Sequence, residues 1–365
     1  MGGFGIGATV VGCGFAIAFV FGLIAARTNF CTMGALSDIV HMGHWGRMRM
    51  WLLAIAVAIA GTTLLSLGGQ IDLARSVVQR PQLPWLSLLV GGLLFGCGMT
   101  LAGGCANRNL VRAGFGSLRS LVVLTFMAIS SYMTLKGLFG AWRAATLDRV
   151  AIDLHAHGWT DQALSTALEQ AACWPHAAAL PWVAGALVLA LLAFVFADAR
   201  FRANRAQWLG GIVLGLLIPL AWYVTGHLGY GENPDTLETV YFSTNSHTLE
   251  SMSFVAPLAY GLEMLMLWTD ASLHLSFGIA CVLGVVAGSA AYALASRRFR
   301  WEGFASLEDL ARQLAGAVLM GFGGVTALGC TIGQGISGLS TLALGSFIAV
   351  GAIVAGSVAT LKATA

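Results

Sequence analysis

The sequence predicts an all-α integral membrane protein with about nine transmembrane helices and short re-entrant helices, arranged as two inverted, pseudo-symmetric halves. Composition gives the class. Hydrophobic residues make up 58% of the 365-residue chain, charged residues make up 10%, and the mean hydropathy is +0.81, all far from soluble values. An internal repeat gives the two halves, because residues 94–111 and 319–336 read as copies at an offset of about 225 residues.

Apolar windows of about twenty residues, long enough to cross a bilayer as helix, predict the individual spans. The first window lacks a basic n-region and a cleavage site, so we expect it to stay in the membrane. The stretch from Val255 to Thr269 is predicted to be re-entrant, because a crossing there would invert the topology of the later spans. The nine windows lie near 4–26, 50–68, 85–102, 117–140, 179–197, 207–224, 272–296, 311–329 and 340–361.

Arginine placement predicts the topology, since short cytoplasmic loops carry the excess of positive charge. The loops at 198–205 and 297–302 each hold three arginines, whereas residues 226–252 carry four acidic residues and no Lys or Arg. The N-terminus is therefore predicted to be periplasmic and the C-terminus cytoplasmic in a bacterial inner membrane. We expect residues 1–140 to form the first transmembrane half, 141–178 a periplasmic insertion and 179–365 the second half.

The repeat ends each half's glycine-rich helix with a thiol, since it superimposes Cys105 on Cys330. Cys31 occupies a third junction of the same kind. On the predicted topology the two repeated helices run in opposite directions, and inverted repeats with broken helices are how many transporters build a pathway. Close packing through small residues is the alternative, but the neighbouring polar residues favour a lined pathway.

The remaining cysteines and histidines read as structural or solvated. Cys13, Cys97 and Cys281 fit apolar packing. Cys173 lies alone in the insertion, and a soft-metal permease would have only His155 and His157, with distant His176, to offer as a ligand cluster. No metal site, cofactor or nucleotide motif is predicted. The modest net charge of +3, in short loops, argues against nucleic acid as a partner.

Three blocks carry a family resemblance: NFCTMGALSD at 29–38, GGCANRNLVR at 103–112 and GCTIGQGISG at 329–338. The chain resembles the YeeE/YedE family of sulfur-compound transporters, whose members include thiosulfate permeases. The resemblance implies an hourglass of transmembrane and re-entrant helices, and successive thiosulfate contacts at Cys31, Cys105 and Cys330. It also implies a separate cytoplasmic sulfur-carrier protein. The chain is therefore expected to be a permease for thiosulfate or a related sulfur anion, and not an enzyme.

Neutral thiols suit this task, because they are weak donors and soft contacts that would pass an anion on without trapping it. Burial in apolar surroundings favours the neutral form. A second interpretation gives the neighbouring polar residues a capping role in broken helices. The supporting residues are expected to be Gly104, Asn107, Arg108, Gly329, Thr331, Gln334 and Ser337.

Two other functions stay open on sequence grounds: transport of another sulfur or selenium compound, and a membrane thiol oxidoreductase. The oxidoreductase is disfavoured, since no two cysteines show C-x-x-C spacing. Asp38 is expected to pair with backbone amides or an arginine. Glu263 and Asp270 raise the possibility of proton coupling, although solvation is the favoured interpretation.

Overall fold

A computed structural model describes residues 2–172, 176–232, 237–270, 272–304 and 306–364. Within them the chain is almost entirely helical. Its two antiparallel strand pairings are short: β1 (Gln82–Leu83) with β2 (Ile152–Asp153), and β3 (Tyr230–Glu232) with β4 (Thr239–Tyr241). The α-helices are α1 Gly2–Thr28, α2 Thr32–Met42, α3 Gly46–Leu67, α4 Trp85–Leu101, α5 Ala106–Gly114, α6 Leu118–Leu135, α7 Leu138–Ala145, α8 Leu164–Ala172, α9 His176–Phe196, α10 Ala199–Ala203, α11 Arg205–Tyr223, α12 Val255–Met266, α13 Phe277–Ala295, α14 Leu307–Thr326 and α15 Leu344–Ala363.

Eight helical stretches of the described chain are long and apolar enough to cross a membrane, so the all-α membrane class is confirmed. Helix α14 corresponds to the predicted window at 311–329, but it is not among these eight stretches, and it begins with the charged residues Glu308 and Asp309. Helix α12 has 12 residues, which is about 18 Å of helix against a bilayer core of about 30 Å. It is the short, non-crossing helix that the charge pattern predicted.

Helices α4 and α14 cross in opposite directions through glycines. A β-carbon built on Gly91 would lie 2.5 Å from the backbone nitrogen of Ala327, and one on Gly316 would lie 2.5 Å from that of Ala102. Each contact joins the first half of one helix to the end of the other. The two helices that lead to Cys105 and Cys330 are therefore antiparallel, as the inverted repeat predicts.

The other helix pairs follow the same pseudo-symmetry. Helix α1 packs on α13 as α11 packs on α3, and α4 packs on α15 as α14 packs on α6. The members of a pair run in parallel: in α6 and α14, Arg119 bonds Asp309 at 2.8 Å near their starts, and Ser130 bonds the Val318 carbonyl at 2.8 Å further along. Exchanging α1 with α11, α3 with α13, α4 with α14 and α6 with α15 reproduces this pattern. These relative directions agree with the predicted topology, while its absolute orientation stays a prediction.

The insertion at 141–178 is attached to the segment that precedes α15. Gln162 donates to the Gln82 carbonyl at 3.0 Å and accepts, through its backbone carbonyl, from the Leu344 amide at 2.8 Å. The Leu164 amide donates to the Leu342 carbonyl at 3.0 Å. We call this end of the bundle the insertion side, and the end with the loops near 43–45, 115–117 and 197–204 the arginine side.

Cys173 and the side chains of His157 and His176 lie outside what the structure describes, whereas His155 is exposed. Two of the cysteines outside the three motifs are packing contacts, as the sequence suggested. The Cys281 thiol approaches the Gly14 carbonyl at 3.5 Å, where α13 meets α1. Cys97 approaches the Gly356 carbonyl at 3.5 Å, where α4 meets α15.

The acidic residues singled out in the sequence are satisfied structurally. Asp38 pairs with Arg47 at 2.6 Å, confirming the expected arginine partner. Glu263, whose side chain is only 6% exposed, pairs with Lys136 at 2.6 Å. Asp270 is exposed and caps the turn at Ser272. Neither Glu263 nor Asp270 lines either of the two cavities described below.

We expect Lys136→Met to destabilise the protein, because it leaves the buried Glu263 carboxylate without its cation. Removing one member of a partly buried pair costs about 1–3 kcal/mol of unfolding free energy. The melting temperature of the purified protein in detergent measures the effect. Combining Lys136→Met with Glu263→Gln should restore most of the loss, and an unchanged melting temperature in the single variant would contradict the argument.

Candidate functional site

The three junction cysteines share one backbone turn. Each stands two residues after a residue in the left-handed region: Asn29 (φ 53°), Gly103 (φ 68°) and Leu328 (φ 57°). In each turn the residue just before the cysteine donates its amide to a carbonyl five residues earlier, at 2.8–3.1 Å. This is the Schellman pattern that ends a helix. The preceding helices, α1, α4 and α14, therefore stop in the same way, and each cysteine begins the next segment of the chain.

Each sulfur also sits at the start of the next helical segment. The Gly34 amide donates to the Cys31 sulfur at 3.3 Å, and the Gly333 amide donates to the Cys330 sulfur at 3.5 Å. The Arg108 amide has the same relation to Cys105. Cap positions usually hold Ser, Thr, Asp or Asn. A thiol there is a weaker cap, so a role in function explains these three cysteines better than helix stability does.

Glycines next to the cysteines make room for the following side chains. A β-carbon on Gly104 would lie 3.0 Å from the side chain of Arg108, and one on Gly329 would lie 3.0 Å from that of Gln334. The two positions are equivalent in the repeat. Gly104 and Gly329 therefore belong to the local turn geometry, and they let a long side chain fold back over each cysteine junction.

The structure brings Cys31 and Cys105 together, although 73 residues separate them in the sequence. Their side chains lie close enough for each sulfur to act on the other, and Thr331 approaches Cys105 from the other half of the molecule. Both cysteines and Thr331 are buried, at 2% exposure or less. Since Cys330 directly precedes Thr331 in the chain, all three cysteine turns meet at one buried centre, which we call the cysteine centre.

Two arginines give the cysteine centre a positive potential on its arginine side. The charges of Arg108 and Arg112 both act on the Cys31 thiol. Arg112 is held in place by a 3.2 Å bond to the Gly103 carbonyl, in the turn before Cys105. The N-termini of α2 and α5 add partial positive charge at the same place. An anion at Cys31 and Cys105 would be attracted by all of these groups.

Polar atoms without partners surround the same centre. Among the described residues, the hydroxyls of Thr32 and Thr331, the indole N–H of Trp51 and the amide oxygen of Asn107 are buried and make no hydrogen bond. Buried polar groups normally have partners. The hydroxyls and the indole can donate to an anion. We infer that the cysteine centre is built to receive a polar ligand.

Gln334 and Ser337, by contrast, are bonded to the protein. Gln334 donates to the Ala327 carbonyl at 2.9 Å and accepts from Ser346 at 2.6 Å. Ser337 donates to the Met252 carbonyl at 2.8 Å. Both lie in the π-helix Gly333–Gly338, a rare form that is frequent at functional sites. Their bonds hold this helix and the Cys330 turn in shape, in line with the capping interpretation.

A cavity opens toward the cysteine centre from each side. The insertion-side cavity has a volume of about 210 Å³ and reaches Gly329 and Gly333, which flank Cys330. The arginine-side cavity has a volume of about 140 Å³ and reaches Phe30 and Arg108, which flank Cys31 and Cys105. The buried thiols lie between the two. Such a constriction between two cavities has the form of an hourglass.

The structure also shows a fourth buried helix start, at Phe254, that sequence reasoning missed and that lacks the left-handed turn of the three cysteine junctions. Phe254 occupies the cap position of α12 as Cys31 does for α2, and the repeat offset carries Cys31 to within two residues of it. Phe254 is fully buried and packs edge-on against Phe21, which packs in the same way on Phe30. Because no cysteine marks it, only the repeat offset could have revealed this position.

Comparison with known proteins identifies the family. The sulphur transport family model matches residues 27–359, which contain all three cysteine turns. The chain belongs to this family. It is 26% identical over 330 residues to the thiosulfate transporter TsuA of Escherichia coli K12, with 87% of this chain and 84% of the relative covered. It is 25% identical over 357 residues to the thiosulfate transporter TsuA of Spirochaeta thermophila, with 92% and 93% covered.

Membership of the sulphur transport family confirms the YeeE/YedE resemblance that the three motifs carried. The family and both relatives are transporters, not enzymes, in agreement with the interpretation of the sequence. Together with the eight apolar helices, this makes the protein a multi-pass membrane transporter.

Proposed function

We propose that this protein takes up thiosulfate, or a closely related sulfur anion, across the bacterial inner membrane. The observation that carries the proposal is the cysteine centre, where Cys31, Cys105 and the Cys330 turn meet between two opposed cavities. Two relatives named as thiosulfate transporters support the choice of substrate. The anion would enter from the insertion side and leave toward the arginine side.

The three thiols act in this proposal as neutral hydrogen-bond donors. A small dianion is very costly to place in a low-dielectric interior, so it needs donors at every step. Cys330 is reached first from the insertion-side cavity, and Cys105 and Cys31 follow. Donors as weak as thiols contact the terminal sulfur of thiosulfate and release it. The positive charges of Arg108 and Arg112 lower the energy of the anion at the last thiol of the route.

The relay forms no covalent bond to the substrate. A persulfide mechanism would leave a modified cysteine during turnover, and mass spectrometry of protein quenched during transport would detect it. The side-by-side placement of Cys31 and Cys105 supplies the close thiol pair that C-x-x-C spacing did not. Family membership nevertheless favours transport over an oxidoreductase.

The orientation in the membrane completes the proposal. With the arginine side in the cytoplasm, the positive-inside rule is satisfied, the N-terminus is periplasmic and the C-terminus is cytoplasmic. The insertion at 141–178 then faces the periplasm and forms its own unit between the two transmembrane halves. A separate cytoplasmic sulfur-carrier protein would accept the imported anion.

Reconstitution tests the proposed function. Purified protein in liposomes is expected to accumulate ³⁵S-thiosulfate in a saturable way, with unlabelled thiosulfate competing and a chelator having no effect. Protein-free liposomes are the control. If selenium analogues compete for uptake and unlabelled thiosulfate does not, the substrate is a selenium compound instead. Uptake no faster than in protein-free liposomes, for every sulfur and selenium anion tried, would contradict the proposal.

A further inference from the structure

The insertion-side cavity contains a carboxylate and no cation. Among the residues that line it, Glu250 and Tyr260 are the titratable ones, and none is Lys, Arg or His. The rest of the lining is apolar or neutral, including Asn245 and Ser253. This is unexpected for the entrance to an anion pathway, because an ionised carboxylate would repel the substrate. In the sequence, Glu250 is one of the four acidic residues of the segment 226–252.

Glu250 is held in the cavity wall by a contact within its own loop and by a contact from the π-helix Val224–Leu228, which continues α11. Its carboxylate accepts the Ser246 amide at 2.8 Å, and the Thr225 hydroxyl donates to its backbone carbonyl. No salt bridge joins it to any part of the chain that the structure describes. The Glu250 carboxyl therefore faces a cavity without a cation, and its hydrogen bonds come from Ser246.

The groups that face Glu250 leave its charge uncompensated. On its own loop, His247 is exposed and acts on it at a distance. From α12 the phenol of Tyr260 lines the same cavity, and the buried thiol of Cys281 on α13 is near enough to be affected by the charge of Glu250 without lining the cavity. Burial raises the pKa of the Glu250 carboxyl above its usual range, and the Ser246 bonds only partly oppose this. The neutral acid therefore persists to higher pH than an exposed glutamic acid would.

We propose that Glu250 forms a joint site for a proton and a sulfur oxyanion, so that the anion enters the insertion-side cavity when this carboxyl is protonated. This inference rests on the proposed function. The neutral acid removes the repulsion and adds one O–H donor in a cavity that otherwise offers few. When the carboxyl loses its proton, the cavity becomes negative and the anion is excluded. Glu250 thus makes uptake depend on the pH of the insertion side.

The test compares the pH dependence of uptake in wild type, Glu250→Gln and Glu238→Gln. Glutamine keeps an oxygen for the Ser246 amide and cannot ionise. Glu238 is an exposed acidic residue of the same loop and serves as the matched control. Initial rates of ³⁵S-thiosulfate uptake are measured into liposomes of fixed internal pH, with the external pH varied between about 5 and 8. Size-exclusion profiles of the detergent-purified variants establish that each one is folded.

Wild-type uptake is expected to fall as pH rises through the raised pKa, approaching about tenfold per pH unit beyond it. Glu250→Gln is expected to lose this dependence and to exceed wild type several-fold at the alkaline end, while Glu238→Gln matches wild type. Identical pH profiles in wild type and Glu250→Gln, or a folded Glu250→Gln without uptake at any pH, would overturn the inference and leave the proposed function standing. If wild type showed no uptake at any pH, both the inference and the proposed function would be contradicted.

Discussion

Alanine in place of Cys31, Cys105 or Cys330 is expected to reduce thiosulfate uptake by about tenfold or more in each case. A hydrogen bond to a charged group contributes about 1.5–3 kcal/mol, and each 1.4 kcal/mol is a factor of about ten. The three sulfurs are buried, and on the proposed route the anion passes each of them, so the loss of any one interrupts that route. Initial rates at matched membrane expression, in a strain without other thiosulfate importers, measure the effect.

Cys281→Ala is the matched control for these three variants. Cys281 is equally buried and equally small, but it lies in the packing between α13 and α1, where its thiol approaches the Gly14 carbonyl, and it belongs to none of the three cysteine turns. It should retain wild-type uptake within about twofold, since the substitution removes a single sulfur from an apolar contact. Wild-type rates in all three junction variants would exclude the thiol relay, even if thiosulfate is the substrate.

The second large effect concerns the crossing of α4 and α14. A β-carbon on Gly323 would lie 2.5 Å from the Phe95 amide nitrogen and 2.6 Å from the Gly91 carbonyl. Both are backbone atoms, so they can move only if a whole helix moves. Gly323→Leu is therefore expected to cost more than about 3 kcal/mol of unfolding free energy. The yield of monodisperse protein in detergent and its melting temperature measure the loss.

Gly351→Leu controls for the substitution itself. Gly351 lies inside the long helix α15, as Gly323 lies inside α14, but it is exposed and no atom lies within 4 Å of a β-carbon built there. Both variants gain the same helix propensity, and only Gly323→Leu separates two helices. Comparable yields and melting temperatures in the two variants would show that α4 and α14 do not depend on this close approach.

Much of the fold could be predicted from the sequence, because a small number of physical rules governs membrane helices. Span length is set by bilayer thickness, and arginine positions orient the loops. The opposite directions of α4 and α14 could be inferred from these two rules and from the repeat of Cys105 and Cys330. The charged start of α14 made it the least typical of the predicted spans, and it packs between α4 and α6 in the structure.

The candidate site was harder to predict, because its parts meet only through tertiary packing. Motif position identified Cys31, Cys105 and Cys330, but sequence distance concealed that Cys31 and Cys105 are neighbours. Trp51 and Thr32 contribute unpartnered atoms without any local signal in the sequence. Glu250 resembled any other acidic loop residue until the structure placed it in a cavity.

On the proposed thiol route, Phe254 gives the two halves of the protein different affinities for the anion. Four identical thiol turns would present the same sequence of energy wells from either face of the membrane. With phenylalanine at the start of α12, two thiols and two arginines lie on one half of the proposed route and a single thiol lies on the other. The deepest well is therefore displaced toward the arginine side. Such a displacement cannot drive accumulation by itself, but it lengthens the residence of the anion next to the compartment that receives it.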